Sequence, residues 1–218
     1  MRFGVRLSGA LLVGLVAASV MGTSASAAPK LLVLETAAGP VAPGAAITFF
    51  SSDLQLTSDR GIDFCSKNVL AGTVGVNGAK KDTINIEEAS FTGEQGDEAH
   101  PTECRDIEPA GPAVWTSEDL PWPLTLSSKG SGKLTGSTKI LMAEEHPFMS
   151  GEHCVWQASK IAETFAQTGA AREPLTLQIT EQGMKRSQKT SNAACPASGK
   201  LNGTFTATSG GETVLAHT

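Results

Sequence analysis

The sequence predicts an all-β protein, a sandwich or two packed β units with few or no helices, and three observations predict it. Short β-prone segments, several alternating apolar and polar residues, follow one another along the chain with turn residues between them. Ser and Thr make up 37 of the 191 residues after Ala27, while charged residues are only 18% of the chain. That mix suits exposed strand faces, because Thr forms strands and both residues are weak helix formers. Four cysteines, Cys65, Cys104, Cys154 and Cys195, are an even number that reads as two disulfides in an exported chain.

Taken in order, the expected strands are Leu31 to Glu35, Ala46 to Phe50, Leu54 to Thr57, Ile62 to Ser66, Val69 to Val76, Thr83 to Phe91, Ala113 to Thr116 and Leu124 to Ser128. Lys133 to Met142, Cys154 to Phe165, Leu175 to Thr180, Met184 to Lys189, Lys200 to Thr208 and Glu212 to Leu215 follow. Turn signals separate them, among them Pro43-Gly44, Asn77-Gly78, Gly130-Ser131-Gly132, Gly169 and Ser209-Gly210-Gly211. Asn77-Gly78 is the sharpest, since both residues tolerate positive φ. Val155, Ala158, Ile161, Ala162 and Phe165 also fit a 3.6 period, so Cys154 to Thr168 is the one helix candidate; strand is preferred. Thr92 to Pro112 is expected to be a long acidic loop tied down by Cys104. Trp122, between Pro121 and Pro123, cannot sit in a helix and is expected to plug one end of the core.

Met1 to Ala27 reads as a secretory signal: Arg2 and Arg6 precede an apolar run from Gly9 to Met21, and Ala25-Ser26-Ala27 offers a small-residue cleavage site. Cleavage would shift the formal charge from −5 to −7, which argues against nucleic-acid binding. No later stretch is apolar enough to span a bilayer as a helix, so a secreted, extracellular protein without a membrane span is expected. The mature domain is residues 28–218, with two similar β halves of about 28–120 and 121–218. A weak repeat supports the halves: Ser131-Gly132-Lys133-Leu134-Thr135-Gly136-Ser137 nearly copies Ser198-Gly199-Lys200-Leu201-Asn202-Gly203-Thr204.

Three cystine connectivities are open in principle. Cys65 with Cys104 and Cys154 with Cys195 is favoured, because the separations of 39 and 41 residues are similar and each half keeps its own staple. A zinc site would want closer ligand spacing.

Glu144, Glu145, His146, Glu152 and His153 form the best metal or acid-base candidate, since imidazole and carboxylate ligate Zn²⁺ or shuttle protons. Their spacing fits no ligand pattern, and a solvated hairpin loop is the preferred reading. The acidic run from Glu94 to Glu108 lacks the residue order of a calcium loop. Gly130-Ser131-Gly132-Lys133 fails the phosphate-loop pattern, with Ser127 and Leu134 where Gly and Ser/Thr are required. Lys185, Arg186 and Lys189 read as one solvated strand edge. Trp115, Trp122 and Trp156 are expected in the core in preference to a carbohydrate-stacking platform. Asn202-Gly203-Thr204 matches a glycosylation sequon but reads as strand, with Gly203 marking a bulge or close approach. No catalytic, metal or cofactor residue is assigned, and no cofactor is expected.

The signal segment, the Cys65 unit with Leu70-Ala71-Gly72-Thr73, Asn77, Leu120-Pro121-Trp122 and Cys195-Pro196-Ala197-Ser198-Gly199-Lys200-Leu201-Asn202-Gly203-Thr204-Phe205 resemble the uncharacterised small exported proteins of actinobacteria. The resemblance implies an exported, disulfide-bearing β protein and carries over no catalytic or binding residue. The leading functional expectation is a non-enzymatic protein that associates with the cell envelope or an extracellular ligand. The alternatives are an exported hydrolase of wall or polysaccharide substrates using Glu144, Glu145 or Glu152, and an inhibitor-like protein that binds another protein.

Overall fold

The computed structural model describes residues 30–93, 104–107, 110–136, 140–146, 152–165, 172–188 and 195–218. The signal segment, Lys189, Gly169 and most of the acidic run after Glu94 lie outside them. Every described element is a strand. The strands are β1 Val33–Thr36, β2 Gly39–Pro40, β3 Ala46–Ser51, β4 Leu54–Ser58, β5 Ile62–Cys65, β6 Lys67–Val76, β7 Lys81–Thr92, β8 Cys104–Ile107, β9 Ala110–Glu118 and β10 Trp122–Ser127. They continue with β11 Ser131–Leu134, β12 Ile140–His146, β13 Glu152–Ala158, β14 Ile161–Thr164, β15 Glu173–Pro174, β16 Thr176–Arg186, β17 Ser198–Ser209, β18 Glu212–Thr213 and β19 Leu215–His217. The all-β expectation holds, and Cys154 to Phe165 is strand, not helix.

Pairing is antiparallel throughout, and it closes on itself twice. One ring of eight strands runs β17-β3-β6-β7-β10-β11-β14-β16 and back to β17; a second runs β17-β4-β5-β8-β9-β12-β13-β16 and back to β17. The rings share β16 and β17, and each draws strands from both sides of residue 120. Closure leaves few bare sheet edges, which is how antiparallel proteins avoid unpaired backbone.

The chain passes repeatedly from one ring to the other, and four of the passages are short junctions among the described residues: between β3 and β4, β5 and β6, β9 and β10, and β13 and β14. A junction breaks the ladder, so its buried polar groups need other partners. Side chains supply them. Asp53 Oδ1 accepts from Thr204 N at 2.7 Å, where β17 changes neighbour from β4 to β3. Buried Asn68 donates from Nδ2 to the Cys65 carbonyl at 2.7 Å and the Ser51 carbonyl at 3.2 Å. Trp122 Nε1 donates to the Glu118 carbonyl at 3.1 Å. The junctions also explain two corrections to the expected strands. Cys154 to Phe165 divides at Ser159-Lys160, one part per ring, and Lys133 to Met142 divides into β11 and β12 for the same reason. Conversely, the two strands expected from Leu175 and from Met184 are joined in one, β16 Thr176–Arg186, interrupted by a bulge between Ile179 and Gln182.

The acidic stretch after Thr92 is also partly strand. The cystine between Cys65 and Cys104, with Cα atoms 4.5 Å apart, sets β8 against β5, where its backbone finds ladder partners. Cys154 pairs with Cys195, so the favoured connectivity is the one present. Both bridges belong to the second ring or its border, since β5, β8 and β13 are its strands.

Ile47, Phe49, Ile84, Ile86, Trp122, Leu124, Leu126, Leu177 and Phe205 alternate inward along the first ring and are all buried, continuous with Leu54, Leu56, Trp156 and Leu201. Trp115, Trp122 and Trp156 are core residues as expected, and Trp115 meets Phe91 edge to face at 6.1 Å where β9 touches β7. A separate sheet, β15-β19-β1-β2, docks on loops at one end of the first ring. Asn77 fixes it there. Its Oδ1 accepts from Leu34 N at 2.8 Å, and its Nδ2 donates to the Leu34 and Val41 carbonyls at 2.7 and 2.8 Å. Of the Asn77-Gly78 turn, only Gly78 adopts positive φ, at 84°.

Gly72 sits at a register shift of β6 against β7, where a Cβ would lie 2.0 Å from the Asn85 carbonyl oxygen and 2.9 Å from Ile86 Cα. Backbone cannot step aside as a side chain does. Gly72→Ala is expected to lower unfolding stability by about 2 kcal/mol, the usual scale of overpacking. Urea titration checks it; a midpoint equal to that of the parent protein would refute the close approach.

Candidate functional site

Apart from buried Glu35, which pairs with Arg172 at 2.7 Å and faces His217 at 3.3 Å in the small end sheet, two places collect polar chemistry among the described residues, one inside the first ring and one on its outer surface. Inside, Asp82 on β7, Leu126 on β10, Gly132 on β11 and Glu163 on β14 are successive cross-strand partners in one row, and all four side-chain positions are buried. Glu163 occupies the space that Gly132 leaves: a Cβ on Gly132 would lie 2.8 Å from Glu163 Oε2. That oxygen has no hydrogen-bond partner. Burial pushes the Glu163 carboxyl up to about 8, so it is mostly neutral at pH 7. Asp82 is raised to about 6 by burial, opposed by hydrogen bonds from the backbone of Ala79 and Gly78; the Ala79 N–H reaches Oδ1 at 3.0 Å. Both acids are sealed from solvent, and a carboxyl that meets no substrate performs no acid-base step on one.

Outside, the site is made by the handover from β14 to β13 along β16. β16 pairs with β14 at Gln178 and with β13 at Gln157 and Trp156, opposite Lys185 and Arg186. Between these pairings β16 has no ladder partner on that side. Its bulge turns there, with Glu181 at φ 50°. Asn202 Oδ1 accepts from Glu181 N at 2.7 Å, and the Glu181 carboxylate pairs with Lys200, which holds it below the usual carboxylate range. Gln182 reaches across the gap, its Oε1 accepting from Ala162 N at 2.9 Å and its Nε2 donating to the Gly183 carbonyl at 2.9 Å. The result is a surface cleft of about 370 Å³ lined by Gln157, Ala158, Ser159, Lys160, Gln182, Gly183 and Lys185.

Known protein families, curated proteins and solved structures offer no match to this chain. Its function is therefore read from its own geometry.

The sequence candidates fare unequally. β12 and β13 bring Glu144 opposite Cys154, Glu145 opposite His153 and His146 opposite Glu152, so these five residues are strand positions and not the expected hairpin loop. Their backbone register is all that is described. Arg186 of the basic group is tied down, its Nη1 donating to the Cys195 carbonyl at 2.6 Å, while Lys185 is exposed on the cleft wall. Gly203 marks a close approach, a Cβ there lying 2.9 Å from Leu54 Cδ1, and Asn202 serves the bulge. No group of three or more potential metal ligands occurs among the described residues. Sequence reasoning missed Ser159, Lys160 and Gln182, because only the junction between rings brings them together, and it missed the buried acids.

Proposed function

We propose that this chain is an exported, non-enzymatic β protein that associates with the cell envelope or an extracellular ligand, and that the cleft beside the β16 bulge is its contact. The observation that carries the reading is the character of the cleft. Its described lining offers a hydroxyl from Ser159 and ammonium groups from Lys160 and Lys185 beside the anchored amides of Gln157 and Gln182, groups of the kind that bind polar ligands. Glycoside hydrolysis would instead need two carboxyl groups flanking a bound sugar, and the described lining of the cleft contains neither Asp nor Glu. Export is supported by the signal-like first 27 residues and by two disulfides, which are compatible with an oxidising compartment.

Co-sedimentation tests it. The purified, oxidised protein is mixed with insoluble cell-wall and polysaccharide preparations, and both the pellet and the released soluble fragments are assayed. Protein in the pellet without fragments is the expected result. Fragments that increase with time, and disappear on substituting Glu144, Glu145 or Glu152, would replace this reading with the hydrolase.

A further inference from the structure

We infer that the cleft beside the β16 bulge takes a monosaccharide-sized, hydroxyl-rich oxyanion, a sugar carrying a phosphate or carboxylate group; this rests on the binding role proposed above. Charge is the first argument. Neither Lys160 nor Lys185 has a carboxylate partner among the described residues, while Glu181, the acid on the bulge, is already neutralised by Lys200. The protein is acidic overall, at −5, so two ammonium groups lining one cleft, one from the β13–β14 junction and one from β16, are a local reversal of sign that attracts an anion. Ammonium groups bind phosphate and carboxylate alike, through charge-assisted hydrogen bonds.

Shape is the second argument. The backbone of Ser159 and Lys160 has no ladder partner among the described residues, and the facing edge of β16 is bare between Gln178 and Lys185. A bare edge invites strand addition by a peptide. Here both ends of the edge are already occupied, by β14 at Gln178 and by β13 at Lys185, so an extended peptide has no room to lie along it. A compact ligand does. A volume of about 370 Å³ is at the small end of ligand pockets, the size of one substituted sugar ring and not of a folded partner. Gly183 presents open space where any other residue would place a Cβ, and the Ser159 hydroxyl stands beside it as a partner for ligand hydroxyl groups, while the Gln157 and Gln182 amides are held in place by bonds to the Arg186 carbonyl, Ala162 N and the Gly183 carbonyl.

The test is an NMR titration of the oxidised protein with glucose 1-phosphate, glucuronate, inorganic phosphate and glucose. Saturable shifts centred on the amides of Ser159, Lys160 and Gly183 are expected for one or both sugar anions, and the tighter of the two identifies phosphate or carboxylate as the source. Glucose should bind at least about tenfold more weakly, and Lys160→Gln with Lys185→Gln should cost about tenfold or more, the scale for losing charged partners. Lys67→Gln with Lys81→Gln, which makes the same charge change away from the cleft, should leave binding unchanged. Shifts elsewhere, no saturation at millimolar ligand, equal binding of inorganic phosphate and sugar phosphate, or equal loss in the two double variants would each overturn the assignment. Sedimentation separates the two claims. If the Lys160→Gln/Lys185→Gln protein pellets with cell wall as the parent does, this inference falls and the envelope role stands; if sugar anions bind but the parent never pellets, the reverse holds.

Discussion

Replacing all four cysteines with serine is expected to leave the protein unfolded at 25 °C, whereas removing only Cys154–Cys195 should leave it folded but weakened by about 4 kcal/mol. Each bridge closes a loop of similar length, with separations of 39 and 41 residues, and in the chain-entropy account such a loop restricts the unfolded chain by about that amount. Two bridges together then match the whole stability of an ordinary domain, about 5 to 15 kcal/mol. Both bridges lie at the second ring, where they brace short strands. Its strands β4, β5 and β8 are only 5, 4 and 4 residues long, and short strands hold together poorly without further support. Circular dichroism during urea titration reads both variants. A four-serine protein that unfolds cooperatively near the parent's midpoint would show that the core alone suffices.

Glu163→Gln is expected to make the protein more stable at pH 7 by about 3 kcal/mol and to flatten its pH dependence. The sign follows from the direction of the shift. The Glu163 carboxyl titrates near 8 in the folded protein and near 4.5 when unfolded. Below 4.5 both states hold the proton and burial of the group costs least. As pH rises from there toward 8, the unfolded chain releases its proton while the folded one retains it, so stability falls by about 1.4 kcal/mol per unit. Asp82 adds a loss of the same sign over the lower window from 3.8 to about 6. The protein should thus be most stable in mild acid. Urea midpoints at several values between pH 4 and 9 for parent and variant check this; parallel curves would refute it.

These buried acids show where the sequence was legible and where it was not. Asp82-Thr83-Ile84-Asn85-Ile86 and Ile161-Ala162-Glu163-Thr164-Phe165 alternate perfectly, and in each the acid stands in the apolar parity. The signal was present, but a carboxylate among inward residues is read most easily as a strand end. Strand existence and cystine pairing were legible because period-2 alternation and loop separation are local facts. The closure of two rings through β16 and β17 was not, since it depends on pairings such as Lys200 with Thr57 that join distant segments. Nor were the junctions: Ser159-Lys160 and Ser66 look like ordinary polar strand residues, and only the change of neighbour reveals them as breaks. The cleft belongs to that second kind, assembled from β13, β14 and β16 by the break itself.

The placement of the two cystines has a consequence for a chain exposed to proteases. The segment between Cys65 and Cys104 contains all of β6 and β7, and the segment between Cys154 and Cys195 contains β14, β15 and β16. The bridges sit at the second ring, yet the covalent loops they close carry half of the first ring's eight strands. A single backbone cut inside either loop therefore releases no fragment. The severed ends remain tethered through sulfur, close enough to re-dock, and the sheet can survive damage that would dismantle an unbridged barrel.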